Sequence, residues 1–191
     1  MIDKEQAKNR IAEAAVAVER SHGLPAEVAF GQAAFESNWL KSSPGNNCFG
    51  FKHYPGAFGR QLLETWECFT PGQMQTFIAA KDGREILDFS KAPRYFVRDW
   101  FATFPDLESC FVKRALRWKA GRHLPWVDAF YAAKADFPLA DAQWTALFRE
   151  IAASGYATAD PDKYAEGCMA RLIEGSEALA AARAEVKKDI A

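Results

Sequence analysis

Glu36 is the residue of this sequence best suited to acid–base chemistry, because it closes a segment that is otherwise almost entirely apolar. From Val28 to Phe35 only Gly31 and Gln32 are not apolar, so a helix here is buried on most of its surface. Burial and the dipole at a helix C-terminus both disfavour a carboxylate and raise its pKa. An acid that stays protonated near neutral pH can protonate a leaving oxygen, as glycoside hydrolysis requires. The local pattern alone also fits a solvated or ion-paired glutamate.

Three separate sequence blocks extend the pattern around Glu36. AFESNW at 34–39 is followed by NNCFGFK at 46–52 and, far downstream, by SGYATADP at 154–161 and then Tyr164. Together they resemble the endo-β-N-acetylglucosaminidases of glycoside hydrolase family 73, in which such motifs occur in this order. The resemblance implies a lysozyme-like α+β fold with a small antiparallel hairpin or sheet beside the active-site groove. It also implies a peptidoglycan hydrolase that cleaves the β-1,4 bond after N-acetylglucosamine, with Glu36 as general acid and no cofactor.

Glycosidases commonly use a second acidic residue, and the candidates here are Glu64, Glu67 and Glu85. The resembled family carries this acid on the hairpin after the second block, in a Thr-x-Glu-aromatic context, to which residues 65–69 are the nearest match. On a strand Glu67 shares a face with Thr65, whereas Glu64 lies on the other face. Because the region between Glu67 and Phe104 is longer than the family hairpin, a surface ion pair remains the alternative role for Glu67.

Aromatic side chains commonly line the floor of grooves that bind glycans, because sugar rings present apolar faces. The residues predicted to bind substrate are Trp39, Asn47, Phe49, Trp66, Trp100 and Tyr156. Tyr156 stands out because it follows a glycine in a loop, and the resembled family places a tyrosine there beside the scissile bond. Asn47 precedes the Phe-Gly pair and is expected to fix the loop as well as to touch substrate.

Charge and hydropathy limit the partners that the chain can have. The net charge of −1 and the absence of a Lys/Arg run argue against nucleic acid. No apolar run has the roughly 20 residues needed to span a bilayer, and the N-terminus lacks the basic and apolar regions of a signal peptide. We therefore expect synthesis in the cytoplasm and action on the cell wall or periplasm by an unknown export route. A secreted effector of this kind would require a neutralising protein partner.

The cysteines and histidines do not form a metal-binding pattern. The four cysteines, at positions 48, 68, 110 and 168, are far apart and include no Cys-x-x-Cys pair, so a zinc site is not expected. A chain that begins in a reducing compartment is expected to hold them as thiols.

The order of predicted elements is helices, a small sheet and helices again, which indicates an α+β fold. Helices are predicted at 3–21, 26–36, 106–119, 125–135, 140–153 and 161–185. Strands are predicted at 61–69, 75–80, 86–89 and 95–101, with a hairpin turn at Pro71 and Gly72. With 49% hydrophobic residues in 191, we expect a single domain over 1–191. Residues from about 174 to 191 are expected to form a solvated helical extension.

The sequence also leaves two other functions open. Lysozymes and lytic transglycosylases share a Glu-Ser helix end with this fold and cut on the N-acetylmuramic acid side. A catalytically idle wall-binding or assembly module is the alternative of a different class, favoured by the altered hairpin.

Overall fold

A computed structural model of the chain describes residues 2–118, 120, 141–156 and 160–188. The predicted helix at 125–135 and positions 157–159 of the third block lie outside the described residues. The helices are α1 (Lys4–His22), α2 (Ala26–Glu36), α3 (Pro71–Ala79), α4 (Leu107–Trp118), α5 (Asp141–Ile151), α6 (Pro161–Glu174) and α7 (Ser176–Lys188). The strands are β1 (Gly59–Cys68), β2 (Glu85–Asp88) and β3 (Arg94–Thr103). The predicted α+β, lysozyme-like architecture is confirmed.

Helix α2 forms the centre of the helical part and is buried on nearly every side, as its apolar sequence predicts. It packs against α1 and α6. A Cβ added at Gly167 of α6 would overlap the ring of Phe35, so this glycine lets α6 come close to the C-terminal end of α2. That close approach sets α6 beside Glu36, the last residue of α2.

The three strands form one antiparallel sheet in the order β1-β3-β2. Thr65 pairs with Val97 and Glu67 pairs with Tyr95 across β1 and β3. The segment after the second block also joins this sheet, because the Ala102 N–H donates to the Phe51 carbonyl at 2.9 Å. The sheet therefore fixes residues from both the second block and the predicted second-acid segment.

One of the predicted strands is wrong. Residues 75–80 belong largely to helix α3 instead of a hairpin arm. Thr70 caps this helix in a reciprocal capping box with Gln73, and Pro71 occupies the first turn. These helix-start signals outweigh the local preference of the segment for β-structure.

The predicted helix over 161–185 is two helices, α6 and α7, separated at Gly175. A Cβ at Gly175 would overlap the ring of Phe30, which requires glycine at the break. Helix α7 packs on α1 rather than remaining a solvated extension: Leu179 is buried, and Arg183 pairs with Glu19 at 2.9 Å and with Glu27 at 2.6 Å. Over the described ranges, none of the helices combines the length and apolarity needed to cross a membrane.

Candidate active site

Glu36 lies where α2 ends and the backbone turns sharply. Ser37 stabilises this turn, since its buried hydroxyl donates to the carbonyl one turn earlier at 2.5 Å and accepts from the Leu40 N–H at 2.9 Å. Asn38, Trp39 and Leu40 follow with φ of 47°, 59° and 61°. Three consecutive left-handed non-glycine residues are unfavourable and occur mostly at functional sites. The turn leaves the Glu36 carboxyl group at the wall of a cavity.

Two tyrosine hydroxyls hold the Glu36 carboxyl group. Tyr164 on α6 donates to Oε1 at 2.7 Å, and Tyr156 donates to Oε2 at 3.4 Å. Burial raises the pKa of Glu36 from 4.5 to about 7, against the opposing effects of the Tyr164 hydroxyl, the Arg114 charge and the Tyr156 hydroxyl. Burial and the nearby Glu36 charge raise the pKa of both tyrosines, so these remain hydrogen-bond donors. Glu36 thus exchanges its proton near neutral pH, as a general acid must.

A second set of buried polar groups supports Tyr164 from behind. Gln32 on α2 donates from Nε2 to the Tyr164 hydroxyl at 2.8 Å. Its Oε1 accepts two hydrogen bonds from Arg114 on α4, at 3.1 Å from Nε and 2.7 Å from Nη2. Both side chains are fully buried, and the guanidinium lies 4.6 Å from the ring centroid of Tyr156. A continuous network therefore runs from Arg114 through Gln32 and Tyr164 to Glu36.

Gln32 and Arg114 are not among the residues that the sequence predicts for the site, although each breaks an apolar pattern. Gln32 is the one polar side chain between Val28 and Phe35. Arg114 falls on the face of α4 whose other members, including Phe111, are buried. A polar residue in an apolar helix face needs a buried partner, which is the signal that could have identified both.

Glu36 lines two cavities that share part of their walls. The larger, of about 830 Å³, is lined by the carboxyl groups of Glu36 and Glu67, by Tyr156 and Tyr164, and by further aromatic and basic residues. The smaller, of about 420 Å³, is lined by Glu36 and by residues of the second-block loop, and it also shares Thr65 with the larger. Two cavities that share Glu36 can together hold several sugar units, and we call them the groove.

Glu67 lies in the larger cavity on the same strand face as Thr65, where the strand alternation predicts it. Lys52 of the second block binds Glu67 Oε1 at 2.5 Å and Asp99 Oδ2 at 2.8 Å. Glu64 borders the smaller cavity, but Arg98 binds its carboxylate at 2.9 Å. Of the predicted acids, Glu67 is thus the one that shares the larger cavity with Glu36 and faces a lysine there.

The structure places three predicted substrate residues at the groove. Tyr156 contacts Glu36 as described, and Phe49 lines the larger cavity while packing edge-on against Phe111, with ring centroids 5.0 Å apart. Asn47 borders the smaller cavity. Its amide group fixes the loop, donating to the Phe51 carbonyl at 2.8 Å and accepting from the Phe51 N–H at 2.9 Å.

Three predicted substrate tryptophans do not border either cavity, within the residues that the structure describes. Trp39 is buried against Phe30, with ring centroids 6.0 Å apart. Trp66 alternates with Thr65 and Glu67 along β1 and packs on Phe96. The indole N–H of Trp100 donates to the carbonyl of Asp82 at 3.0 Å. Each of these tryptophans has a packing or hydrogen-bonding partner outside the two cavities, and its role in substrate binding stays a prediction.

Within the described residues, His, Cys, Asp and Glu side chains form no group of three or more that could hold a metal ion. The four cysteines are free thiols in this structure. The Sγ atoms of Cys48 and Cys110 are 3.7 Å apart in the core behind the groove.

Comparison with known proteins agrees with this geometry. The family model described as mannosyl-glycoprotein endo-beta-N-acetylglucosaminidase (Glucosaminidase) matches residues 12–176. The catalytic domain of the autolysin Auto from Listeria monocytogenes is 22% identical, with a TM-score of 0.58 over 92% of this chain and 85% of that one. The C-terminally truncated glycoside hydrolase domain of Salmonella typhimurium FlgJ is 19% identical, with a TM-score of 0.56 over 90% of this chain and 97% of that one.

A peptidoglycan hydrolase mutant from Sphingomonas sp. A1 is 20% identical, with a TM-score of 0.55 over 91% of this chain and 96% of that chain. No curated protein matches in sequence. At these identities the solved structures show the fold, whereas the family match extends over most of the sequence. The chain therefore belongs to the glucosaminidase family of glycoside hydrolases, family 73.

Proposed function

We propose that the protein is a peptidoglycan hydrolase that cleaves the β-1,4 bond after N-acetylglucosamine, with Glu36 as the general acid. The observation that carries this proposal is the Glu36 carboxyl group, which has a pKa of about 7 and lines both cavities of the groove. The solved structures of similar fold include proteins described as an autolysin and as a peptidoglycan hydrolase, which supports the choice of substrate.

In the proposed first step, Glu36 donates its proton to the glycosidic oxygen as the bond to the anomeric carbon breaks. The carboxylate that remains keeps the hydrogen bond from Tyr164 and, at longer range, the charge of Arg114. Both interactions favour the ionised form, so they offset part of the burial that keeps the resting acid protonated. The balance allows Glu36 to give up its proton and to recover it at neutral pH.

Glu67 is the proposed second carboxylate. Lys52 lies against it, and a carboxylate in this cavity can stabilise an oxocarbenium ion or activate water. The alternative is that the acetamido group of the substrate attacks the anomeric carbon, so that Glu67 serves only to hold Lys52.

A Glu67→Gln variant distinguishes these roles. We expect its kcat to fall by about 10²-fold, the usual contribution of an acid–base group, with little change in melting temperature. Glu64→Gln is the matched control, because Glu64 is on the same strand and pairs with Arg98 instead. Steady-state assays on solubilised glycan strands provide the measurement. Wild-type turnover by the Glu67 variant would contradict a catalytic role and favour the substrate's own nucleophile.

Tyr156→Phe removes only the hydroxyl that lies 3.4 Å from Glu36 Oε2. A hydrogen bond to a charged group contributes roughly 1.5–3 kcal/mol, so we expect kcat to fall by roughly 10- to 10²-fold. The half-buried ring remains, and the melting temperature should change little. A variant that melts early yet keeps its turnover would show that Tyr156 acts in packing and not on the reaction.

The bond that is cut can be read directly from the digestion products. Reduction with borohydride followed by mass spectrometry should show N-acetylglucosaminitol at the new ends. Reduced muramic acid ends would instead indicate lysozyme-type cleavage, and anhydro-muramic ends a lytic transglycosylase. Release of no fragments by the wild-type protein would favour the idle wall-binding module and overturn the proposed hydrolase.

A further inference from the structure

One side of the larger cavity carries positive charge that the proposed reaction does not use. Lys113 and Arg117 lie one turn apart on α4, and both line the cavity that contains Glu36. The Lys113 ammonium lies 3.8 Å from the ring centroid of Tyr54, and the Arg117 guanidinium lies 5.6 Å from that of Phe51. These aromatic rings form the floor beneath the two cationic groups.

Neither cation is neutralised by a carboxylate among the described residues, where salt bridges within 4.0 Å involve other lysines and arginines. The two carboxyl groups that line the cavity have other partners: Glu67 binds Lys52, and Glu36 binds the two tyrosines. By contrast, Arg98, Arg149 and Arg183 are all paired with acids. Among the described residues, the α4 side of the larger cavity therefore carries positive charge that no carboxylate neutralises.

We propose that Lys113 and Arg117 form a subsite for a carboxylate carried by the muramic acid side chain of the substrate, most specifically a free carboxylate of its peptide stem. The proposal rests on the proposed function. The sugar backbone itself is uncharged, so the surplus cations have no partner there, whereas peptide stems carry free carboxylates. The planar guanidinium of Arg117 can bind a carboxylate through two hydrogen bonds, and Lys113 adds a mobile point charge.

This subsite predicts selectivity for charged strands. Strands that bear intact stems should bind better than the same strands whose free carboxylates have been converted to amides. The two substrates have nearly the same shape and length, so they differ mainly in charge. The effect should appear mainly in KM, because the contact is made away from the reacting bond and is the same in the ground state and the transition state.

The test uses the double variant Lys113→Gln/Arg117→Gln on both substrates. With wild-type protein we expect KM to be about tenfold higher on amidated strands, the size of effect that a good charged contact gives. The double variant should show the higher KM on both substrates, with kcat nearly unchanged. Lys91→Gln/Arg94→Gln is the matched control, because this pair removes the same two charges from beside Trp66, outside the groove, and should keep the wild-type preference.

A third substrate separates the two sources of the carboxylate. Strands stripped of peptide by an amidase retain only the lactyl carboxylate of muramic acid. Low KM on these strands would assign the subsite to the lactyl group and overturn the stem assignment. Equal KM on intact and amidated strands, at measurable turnover, would overturn the subsite while leaving the hydrolase intact. Failure to cleave any strand would instead contradict the proposed function.

Discussion

Glu36→Gln should lower the hydrolytic activity by at least about 10²-fold, while the protein keeps its fold. General acid catalysis typically contributes 10²- to 10⁴-fold, and the amide has the same shape as the acid but cannot deliver a proton. The Tyr164 hydroxyl can still donate to the amide oxygen, so the surrounding network persists. Turnover of solubilised peptidoglycan strands by purified wild-type and variant protein gives the ratio, and wild-type-like turnover would refute the assignment.

The Glu36→Gln variant should also change how the free energy of unfolding depends on pH. The pKa of Glu36 is raised to about 7 from 4.5, so the folded state binds the proton more tightly than the unfolded state does. The free energy of unfolding of the wild type therefore falls as the pH rises from about 4.5 to about 7, and stays lower above that. Glutamine does not ionise, so the variant should be more stable than the wild type at pH 8, by about 3 kcal/mol, and similar near pH 4.

Gln32→Leu should have the largest effect on stability. Gln32 Oε1 accepts two hydrogen bonds from Arg114, and both residues are fully buried. Leucine fills similar space but leaves the buried guanidinium without this acceptor, and a buried charged donor without a partner costs about 3 kcal/mol or more. For a chain of this size the melting temperature should fall by roughly 10 °C. Calorimetry or circular dichroism provides the measurement.

The double variant Gln32→Leu/Arg114→Met tests whether the unpaired Arg114 guanidinium causes the loss of stability. It replaces both partners by apolar side chains, which is often nearly neutral when volumes are similar, so most of the lost stability should return. A double variant as unstable as Gln32→Leu would show that packing, and not the unpaired charge, is responsible. The restored protein should still show altered activity, because Tyr164 loses the hydrogen bond from Gln32.

The part of the site that could be predicted from sequence is the part that depends on local pattern. Glu36 closes an apolar helix, and strand alternation puts Glu67 on the same face as Thr65, so local pattern indicates where these side chains lie, whereas their catalytic roles are implied by the family resemblance. The third sequence block indicates Tyr156. At 75–80 the β-forming residues predict a strand, and this prediction is wrong because the helix cap at Thr70 outweighs their local preference.

The rest of the site depends on contacts between residues far apart in the sequence. Gln32 contacts Arg114 across 82 positions and Tyr164 across 132, and no local signal specifies such partners. The tryptophans show that a place in a motif block does not decide what a side chain contacts. Trp39, Trp66 and Trp100 lie in or near the motif blocks, but only the packed structure shows that they are not among the residues lining the two cavities.

The pH dependence of kcat/KM, which reports the ionisation of the free enzyme, tests the central claim most directly when it is measured beside a titration of Glu36 in the free protein. A general acid must be protonated to act, so activity should decline as the pH rises through the pKa of Glu36, about 7. Carbon-13 NMR of the glutamate side-chain carboxyl groups, with Glu36→Gln to assign the signal, gives the titration in the same protein. We predict that the alkaline limb and the Glu36 signal share a midpoint near pH 7. A Glu36 signal that titrates near 4.5 while activity persists to higher pH would contradict the account.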